Sequence, residues 1–206
     1  MSPRARFERL AVEKQDTILE AAAIEFAAAG FKGASLNKII ERTGFSKGAV
    51  YYYFDDKGDL YDAVVERALA KMIEWMGDVF FEDFEKDSFW TDLERWSLSL
   101  IGFLINHPGL ARILRHLYSS LESQPQSRTV QVVFHSCREW TIALVERGQK
   151  VGTIRKDLPK DLLVETLLAV GMVSDRWVLY HLEAMNAEPA ETARLITDLF
   201  RRIASP

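Results

Sequence analysis

Cysteine is scarce in this 206-residue chain: Cys137 is the only one, which excludes an internal disulfide and fits a reducing compartment. Four histidines are present, but no HExxH pattern occurs and no second cysteine is available to complete a zinc site. A glycine-rich phosphate loop and a Gly-x-Ser-x-Gly turn are also missing. The sequence therefore predicts no catalytic activity, no metal site and no cofactor.

Targeting and membrane-spanning segments are missing as well. The N-terminal stretch MSPRARFERLAVEK lacks the apolar core of a signal peptide. The longest uncharged run, Trp96–Ala111, is too short to cross a bilayer and is interrupted by Asn106, His107 and Pro108. Apolar residues nevertheless make up 48% of the chain, which is enough for a folded core. These features predict a soluble, cytoplasmic protein.

The most informative stretch is residues 35–57, SLNKIIERTGFSKGAVYYYFDDK, whose pattern predicts two short helices joined by a tight turn. Ser35 is suited to cap the first helix with its hydroxyl, and apolar residues follow at helical spacing. Gly44 stands where helices commonly end in a left-handed residue. Ser46 can then cap a second helix that begins at Lys47.

The second helix of this pair is predicted to have one buried and one exposed face. Val50 and Phe54 lie four residues apart and can both face a core. The other positions are Lys47, Gly48, Ala49, Tyr51, Tyr52 and Tyr53. Lysine can reach guanine or phosphate, small residues allow a close approach, and tyrosine hydroxyls bond phosphate oxygens. The pattern favours a helix that enters a DNA groove; the alternative is an ordinary helical hairpin with half-buried tyrosines.

Charge supports DNA binding only locally. The chain has a net charge of −4, and residues 1–60 hold as many acidic as basic residues. Between Phe31 and Phe54, however, a single acid stands among four bases, which are Lys32, Lys38, Arg42 and Lys47. Such a small positive face predicts a modest, salt-sensitive affinity for each subunit, which dimerisation would have to multiply.

Two further features precede the pair of short helices. An apolar stripe that contains Ile18, Ala22 and Phe26 predicts a longer helix, which braces the pair and stops at Gly30. Upstream of it stand three arginines, at positions 4, 6 and 9. They form either a frayed extension of the long helix, which is favoured, or an arm that reaches DNA.

Residues 14–62 resemble the N-terminal domain of the TetR/AcrR family of transcriptional regulators. The resemblance runs through ILEAAAIEFAAAGFKGAS, the turn GFSKGAVYYYF and the segment DDKGDLYDAV. It implies a DNA-binding set of Ser35, Ser46, Lys47, Gly48, Ala49, Tyr51, Tyr52, Tyr53 and Lys57. In that set, Lys47, Gly48, Ala49 and Tyr51 match positions that approach bases, and Tyr52, Tyr53 and Lys57 match positions that touch phosphates. The chain departs from the family at Tyr53, where histidine is common, and at Ile40, where alanine is common.

Helical patterns continue along the whole chain, so the predicted fold class is all-α with about nine helices. A three-helix helix-turn-helix domain at residues 1–57 is followed by a helical ligand-sensing and dimerisation domain at residues 58–206. A long helix from about Asp59 to Gly77 leads into the second domain and can act as a lever. The later helices are expected at 90–106, 110–120, 128–150, 160–185 and 188–203, with a loop at 123–127 and a break at Asn186.

The last two predicted helices carry wide apolar faces, which include Leu167, Val170 and Trp177 in one helix and Leu195 and Leu199 in the other. Two such helices from each subunit can form a four-helix dimer interface; alternatively, they only cover the core of their own subunit. The family resemblance favours a homodimer on a pseudo-palindromic operator. A two-fold DNA site also requires a dimer, because two recognition helices must reach successive major grooves, roughly 34–36 Å apart.

Large aromatic residues are concentrated in the middle of the chain, and some of them can line an apolar cavity between helices. The predicted pocket residues are Trp75, Trp96, Phe103, His116, Phe134, Trp140 and Trp177. The resemblance implies a ligand-responsive regulator, most simply a repressor that leaves its operator when a small apolar or aromatic molecule binds. The remaining alternative is a module that uses the helical hairpin for protein contact, which would need no affinity for duplex DNA.

Overall fold

The computed structural model describes residues 3–76, 83–120, 128–185 and 188–206, and every regular element in these ranges is a helix. The ten described helices are α1 (Pro3–Phe7), α2 (Val12–Gly33), α3 (Leu36–Thr43), α4 (Lys47–Tyr53), α5 (Lys57–Met76), α6 (Phe89–Asn106), α7 (Pro108–Ser120), α8 (Arg128–Val151), α9 (Lys160–Met185) and α10 (Pro189–Ala204). The predicted all-α fold class is confirmed. None of these helices alone is both long and apolar enough to cross a membrane.

The later helices begin and end within two residues of their predicted bounds. The loop predicted at 123–127 and the break predicted at Asn186 lie outside the described residues. α5 begins at Lys57, earlier than expected, because the carboxylate of Asp56 accepts a hydrogen bond from the backbone N–H of Asp59 at 2.9 Å and caps the first turn.

The additional helix is α1, which the favoured prediction had treated as an extension of α2. The chain turns between the two helices, since the N–H of Leu10 donates to the carbonyl of Phe7 at 2.9 Å. The side-chain amide of Gln15 then donates to the carbonyl of Leu10 at 2.8 Å, which satisfies a backbone acceptor within the turn. Residues 3–7 therefore form a separate element.

The chain divides into two compact units, one of residues 1–71 and 108–124 and the other of residues 72–107 and 125–206. The boundary between 71 and 72 falls inside α5. The first unit thus contains α1 to α4, most of α5, and α7. The functional division between residues 57 and 58 stays a prediction.

The core of the first unit is built on the apolar stripe of α2. Ile18, Ala22 and Phe26 are fully buried, as the stripe predicted, and Ile39 of α3 and Leu60 of α5 are equally inaccessible. The side chain of Arg67 on α5 also pairs with Asp16 on α2 at 2.5 Å. α2 and α5 therefore form a frame, and the short helix α3 packs against its α2 side.

The end of α2 depends on glycine. Gly30 has a φ of +67° and a non-helical backbone, so the regular helix ends there as predicted, and a short helical stretch follows the kink as far as Gly33. A Cβ at this position would lie 3.0 Å from Cε1 of His116, a residue of α7 in the same unit. The left-handed backbone and the imidazole both disfavour any larger residue, so α7 packs closely on the kink.

The core of the second unit is formed by α6, α8, α9 and α10. Phe89, Leu144 and Leu163 are fully buried in it, and Phe200 of α10 packs against the same cluster. After α8, the backbone N–H groups of residues 152, 153 and 154 all donate to the carbonyl of Gly148, which reverses the chain tightly. The N–H of Arg155 then donates to the carbonyl of Ala204 at 2.7 Å and fixes the end of α10.

Candidate nucleic-acid interface

The turn between α3 and α4 has the geometry that its sequence predicts. Gly44 follows α3 with a φ of +69° and a ψ of 3°, which is the left-handed conformation that ends many helices. The hydroxyl of Thr43 donates to the carbonyl of Ile40 at 2.8 Å and accepts from the N–H of Phe45 at 3.1 Å. The direction in which α4 leaves α3 is therefore fixed by local hydrogen bonds.

The two predicted serine caps have different outcomes. The hydroxyl of Ser46 accepts from the N–H of Ala49 at 3.1 Å, so the predicted cap of α4 is confirmed. Ser35 occupies the cap position of α3, but its hydroxyl makes no capping hydrogen bond, and that prediction is wrong. Instead, the backbone N–H of Ser35 donates to the carboxylate of Glu25 at 3.1 Å.

Glu25 is a structural residue that the sequence analysis missed. Its side chain is only 4% exposed, and the N–H of Ser35 supplies a partner for the buried carboxylate. The available signal was its position on the apolar stripe of α2, beside Phe26, where a charge is unexpected. Glu25 ties the body of α2 to the start of α3.

α4 buries one face and exposes the other. Val50 is 1% exposed and Phe54 2%, which confirms that both face the core. Tyr51 and Tyr52 are 45% and 54% exposed, although large aromatic side chains are usually covered. Lys47, Gly48 and Ser46 are also exposed, while Ser35, Ala49, Tyr53 and Lys57 are half-buried. Of the predicted DNA-binding residues of α4, Lys47, Gly48, Tyr51 and Tyr52 therefore share one accessible face, whereas Ala49 and Tyr53 do not lie on it.

Ring contacts order the exposed side chains of α4. The ammonium of Lys47 lies 5.9 Å from the ring centroid of Tyr51. The rings of Tyr52 and Tyr53 meet edge to face at 5.2 Å between centroids. Such contacts restrict the rotamers of long side chains and lower the entropy lost when they bind a partner.

α1 packs directly on α4, a contact that the sequence analysis did not predict. Phe7 is 4% exposed, and its ring centroid lies 4.8 Å from that of Phe54 and 6.3 Å from that of Tyr53. The guanidinium carbon of Arg6 lies 4.5 Å from the ring centroid of Tyr52. The N-terminal segment is thus part of the surface that α4 presents.

Lys57, predicted to touch phosphate, is held by the protein itself. Its ammonium donates to the carbonyl oxygens of Lys32 at 3.2 Å and Ala34 at 3.1 Å, and it lies 5.0 Å from the ring centroid of Phe31. An ammonium has three N–H donors, so one remains for another acceptor. Contact with DNA stays a prediction for Lys57, beside the structural role that these bonds define.

The predicted pocket residues are distributed over several environments. The rings of Trp96 and Trp140 stack at 4.7 Å between centroids, and both pack against the core of the second unit. Phe103 is 1% exposed in the same unit, whereas Phe134 and Trp177 are 41% and 47% exposed. His116 belongs to the first unit, beside Gly30, and the side chain of Trp75 lies outside the described residues. The structure therefore brings Trp96 and Trp140 into contact, and the pocket as a whole stays a prediction.

Burial shifts the pKa values of His116, a predicted pocket residue, and of the single cysteine, Cys137. His116 has its pKa lowered, first by desolvation and then by the positive charge of Arg115. Burial raises the pKa of the Cys137 thiol to about 11, with a smaller contribution from Asp175. A protonated thiol favours packing over chemistry, because the thiolate is the reactive form of cysteine.

α9 and α10 expose large apolar side chains of the kind expected at an interface. Six of them are between 47% and 57% exposed: Leu162, Val173, Trp177, Tyr180, Leu195 and Leu199. The imidazole of His181 stacks on the indole of Trp177 at 4.8 Å between centroids. These residues include part of the apolar faces that the sequence assigned to dimerisation.

The sequence is also similar to those of known regulatory proteins. Residues 18–64 match the family described as bacterial regulatory proteins, tetR family. The HTH-type transcriptional repressor SCO4008 of Streptomyces coelicolor is 29% identical over 156 residues, which cover 74% of this chain and 73% of that protein. The HTH-type transcriptional repressor AcnR of Corynebacterium diphtheriae is 28% identical over 165 residues, which cover 77% of this chain and 78% of that protein.

The fold is also similar to a solved structure. SmeT, the repressor of the Stenotrophomonas maltophilia multidrug efflux pump SmeDEF, aligns with a TM-score of 0.70 and 20% identity, over 97% of this chain and 93% of SmeT. SmeT has also been solved as a complex with triclosan. The match over residues 18–64, which contain α3, the turn at Gly44 and α4, identifies this part of the chain as an N-terminal domain of the tetR family of bacterial regulatory proteins.

Proposed function

We propose that the protein is a transcriptional repressor that binds a pseudo-palindromic operator as a homodimer and leaves it when a small apolar or aromatic molecule binds the second unit. The observation that carries this proposal is the exposed face of α4, where Lys47, Gly48, Tyr51 and Tyr52 are accessible above the buried Val50. The similar proteins SCO4008 and AcnR are transcriptional repressors, which supports repression rather than activation.

DNA recognition is assigned to α4 and the residues that frame it. Lys47 is placed to donate to guanine or phosphate, and the absence of a side chain at Gly48 permits close approach to the bases. The hydroxyl groups of Tyr51 and Tyr52 are donors for phosphate oxygens or base edges. Exposed Lys38 and Arg42 on α3 add positive charge, which favours association with the DNA backbone.

Dimerisation is assigned to α9 and α10. The large apolar side chains on these helices are about half exposed in the isolated subunit. A two-fold contact that covers them would remove apolar surface from water, which stabilises the dimer. A dimer also supplies the second DNA-binding unit that a palindromic operator needs, and it multiplies the weak affinity of one subunit.

The effector site is assigned to the region of Trp96, Phe103 and Trp140 in the second unit. The indole N–H of Trp96 is buried, and no hydrogen-bond acceptor for it exists among the described residues. An unpaired buried donor costs about 1–3 kcal/mol, so a ligand with an acceptor atom would gain from pairing with it. The triclosan complex of SmeT supports an aromatic effector.

Release from DNA is assigned to a change in α5, which contains the boundary between the two units. A ligand shifts a conformational equilibrium only if it binds one state more tightly than the other. A ligand that prefers the state in which the two copies of α4 no longer match the groove spacing would therefore lower operator affinity.

A mobility-shift titration with the DNA upstream of the protein's own gene tests this function. Wild-type binding should weaken steeply with salt, and Lys47→Ala or Tyr52→Ala should lower affinity about 5- to 100-fold, as expected for lost base or phosphate contacts. Lys150→Ala, which changes an exposed lysine of the second unit, is the matched control. If the affinity of the wild type does not depend on salt, and if Lys47→Ala and Tyr52→Ala bind the DNA as tightly as the wild type, the proposal is contradicted. A protein partner for the helical hairpin would then be favoured.

A further inference from the structure

Two of the N-terminal arginines, Arg4 and Arg6, differ in what they contact. Arg4 forms an ion pair with Glu66 on α5 and donates to the carbonyl of Asp59, so its charge is neutralised within the protein. Arg6 points instead to α4, where its guanidinium lies over the ring of Tyr52. Phe7 holds α1, and with it Arg4 and Arg6, in position, because its buried ring packs against Phe54.

The position of Arg6 is defined by two contacts with one residue. Nη1 of Arg6 donates to the backbone carbonyl of Tyr52 at 3.3 Å, and the guanidinium carbon lies 4.5 Å from the centroid of the same residue's ring. Within the described part of the chain, no carboxylate pairs with Arg6. A guanidinium has five N–H donors, so most of those on Arg6 stay available.

We propose that Arg6 and Tyr52 form one composite phosphate site, in which the guanidinium donates to the DNA backbone beside the oxygen that the Tyr52 hydroxyl binds. This inference rests on the proposed function, because it presumes that α4 meets duplex DNA. Arginine suits the site, since its planar group stacks on an aromatic ring and still presents donors to a phosphate.

The arrangement also explains why a five-residue helix is anchored so firmly. A flexible N-terminal arm would lose conformational entropy on binding, whereas a guanidinium already held over Tyr52 loses less. The buried ring of Phe7 and the ion pair of Arg4 with Glu66 fix the segment at both ends. The DNA-binding surface therefore extends beyond the helix-turn-helix to α1.

The salt dependence of operator binding tests the proposal. Each phosphate contact contributes about 0.9 to the slope of log K against log salt concentration, so Arg6→Ala should make the slope of a dimer shallower by about 1.8. Affinity at low salt should fall roughly tenfold. Arg6→Lys should keep most of the slope and bind more weakly, because lysine retains the charge but not the stacked plane.

Two controls separate binding from folding. Arg6→Ala should melt at the wild-type temperature, and Arg95→Ala, at an exposed arginine of α6 in the second unit, should bind the operator as the wild type does. In a double-mutant cycle, Arg6→Ala and Tyr52→Ala should be non-additive, since Tyr52→Ala removes the ring on which the guanidinium rests.

The outcomes distinguish this inference from the proposed function. If Arg6→Ala keeps the wild-type slope and affinity while Lys47→Ala weakens binding, the composite site is wrong and the repressor assignment stands. Additive effects of Arg6→Ala and Tyr52→Ala would likewise overturn the composite site. If the wild type binds no duplex DNA, the proposed function itself fails, and the inference fails with it.

Discussion

The ammonium nitrogen of Lys57 lies 3.1 Å from the carbonyl oxygen of Ala34, a residue 23 positions earlier in the chain. Its second bond, to the carbonyl of Lys32, joins the start of α5 to the last turn of α2. The lysine that the family resemblance assigns to DNA therefore also positions the helix pair, and the two roles predict different measurements.

Lys57→Met should lower the free energy of unfolding by about 1–2 kcal/mol, because two backbone carbonyls lose a charged donor while the apolar stem is kept. Urea denaturation measures this change. Lys71→Met, at an exposed lysine of the same helix, should leave stability unchanged. Equal stability of Lys57→Met and the wild type would show that the observed bonds do not hold the frame together.

Tyr61→Phe should stabilise the protein by about 1 kcal/mol. Tyr61 is 7% exposed, and its hydroxyl is buried with no hydrogen-bond partner in the described ranges. Its ring, which phenylalanine would retain, packs against Phe26 and Phe31 at 5.0 and 5.2 Å between centroids. Tyr51→Phe, at a residue 45% exposed, should not change the melting temperature. A loss of stability in Tyr61→Phe would reveal a partner for the buried hydroxyl.

Tyr61 also predicts that the free energy of unfolding of the wild type and of Tyr61→Phe depends differently on pH in the alkaline range. Burial, with a smaller effect of Asp62, raises the pKa of Tyr61 to about 12, above the unfolded value of 10.0. The unfolded chain therefore loses this proton first, so the contribution of Tyr61 to stability is complete below pH 10 and declines as the pH rises towards 12. Denaturation at a series of pH values should show a steeper decline for the wild type than for Tyr61→Phe, and parallel curves would exclude this explanation.

Gly148→Ala should destabilise the protein by about 2 kcal/mol or more, although alanine is the better helix former by about 1 kcal/mol. An added Cβ would overlap Cδ1 of Ile154 and lie 2.9 Å from Cζ of Phe89, and both side chains are buried. Thermal denaturation measures the effect. Gly109→Ala is the matched control, since among the described residues no atom beyond its chain neighbours and its own helix backbone lies within 4 Å of the added Cβ. A melting temperature at or above that of the wild type is expected. If both variants melt alike, the contact at Gly148 relaxes without cost.

Leu199→Glu should weaken dimerisation by at least tenfold, because a charge would be placed in an apolar contact. Leu199 is 49% exposed on α10, so the isolated subunit should tolerate the change. Sedimentation over a range of concentrations measures the equilibrium. Ile24→Glu, at a residue 54% exposed on α2, should leave dimerisation unchanged. A wild type that sediments only as a 23.5 kDa species would remove the basis of the prediction.

Features set by neighbouring residues could be predicted from the sequence. The Ser46 cap, the left-handed Gly44 and the buried pair of Val50 and Phe54 all follow from rules that act over four residues or fewer. The presence of an exposed helix face rich in tyrosine could be predicted for the same reason. These local rules sufficed for the outline of the candidate site.

Contacts between distant residues could not be predicted. Ser35 has the right residue type for a cap, yet its hydroxyl makes no capping hydrogen bond, and its backbone N–H donates to the buried carboxylate of Glu25 ten residues earlier. The contact between Arg6 and Tyr52 spans 46 residues and depends on the packing of the Phe7 ring against that of Phe54. Such pairs leave no periodic trace in one sequence, because each depends on how separate helices pack.

The stacked indoles of Trp96 and Trp140, with planes inclined by 30°, have an optical consequence. Two chromophores this close share their electronic excitation and give a paired positive and negative band in far-ultraviolet circular dichroism that neither gives alone. The pair therefore makes the packing of α6 on α8 visible without any label, and Trp96→Phe identifies its contribution by subtraction. In a titration with a small molecule, a change in this paired band would report a change in the packing of the two indoles.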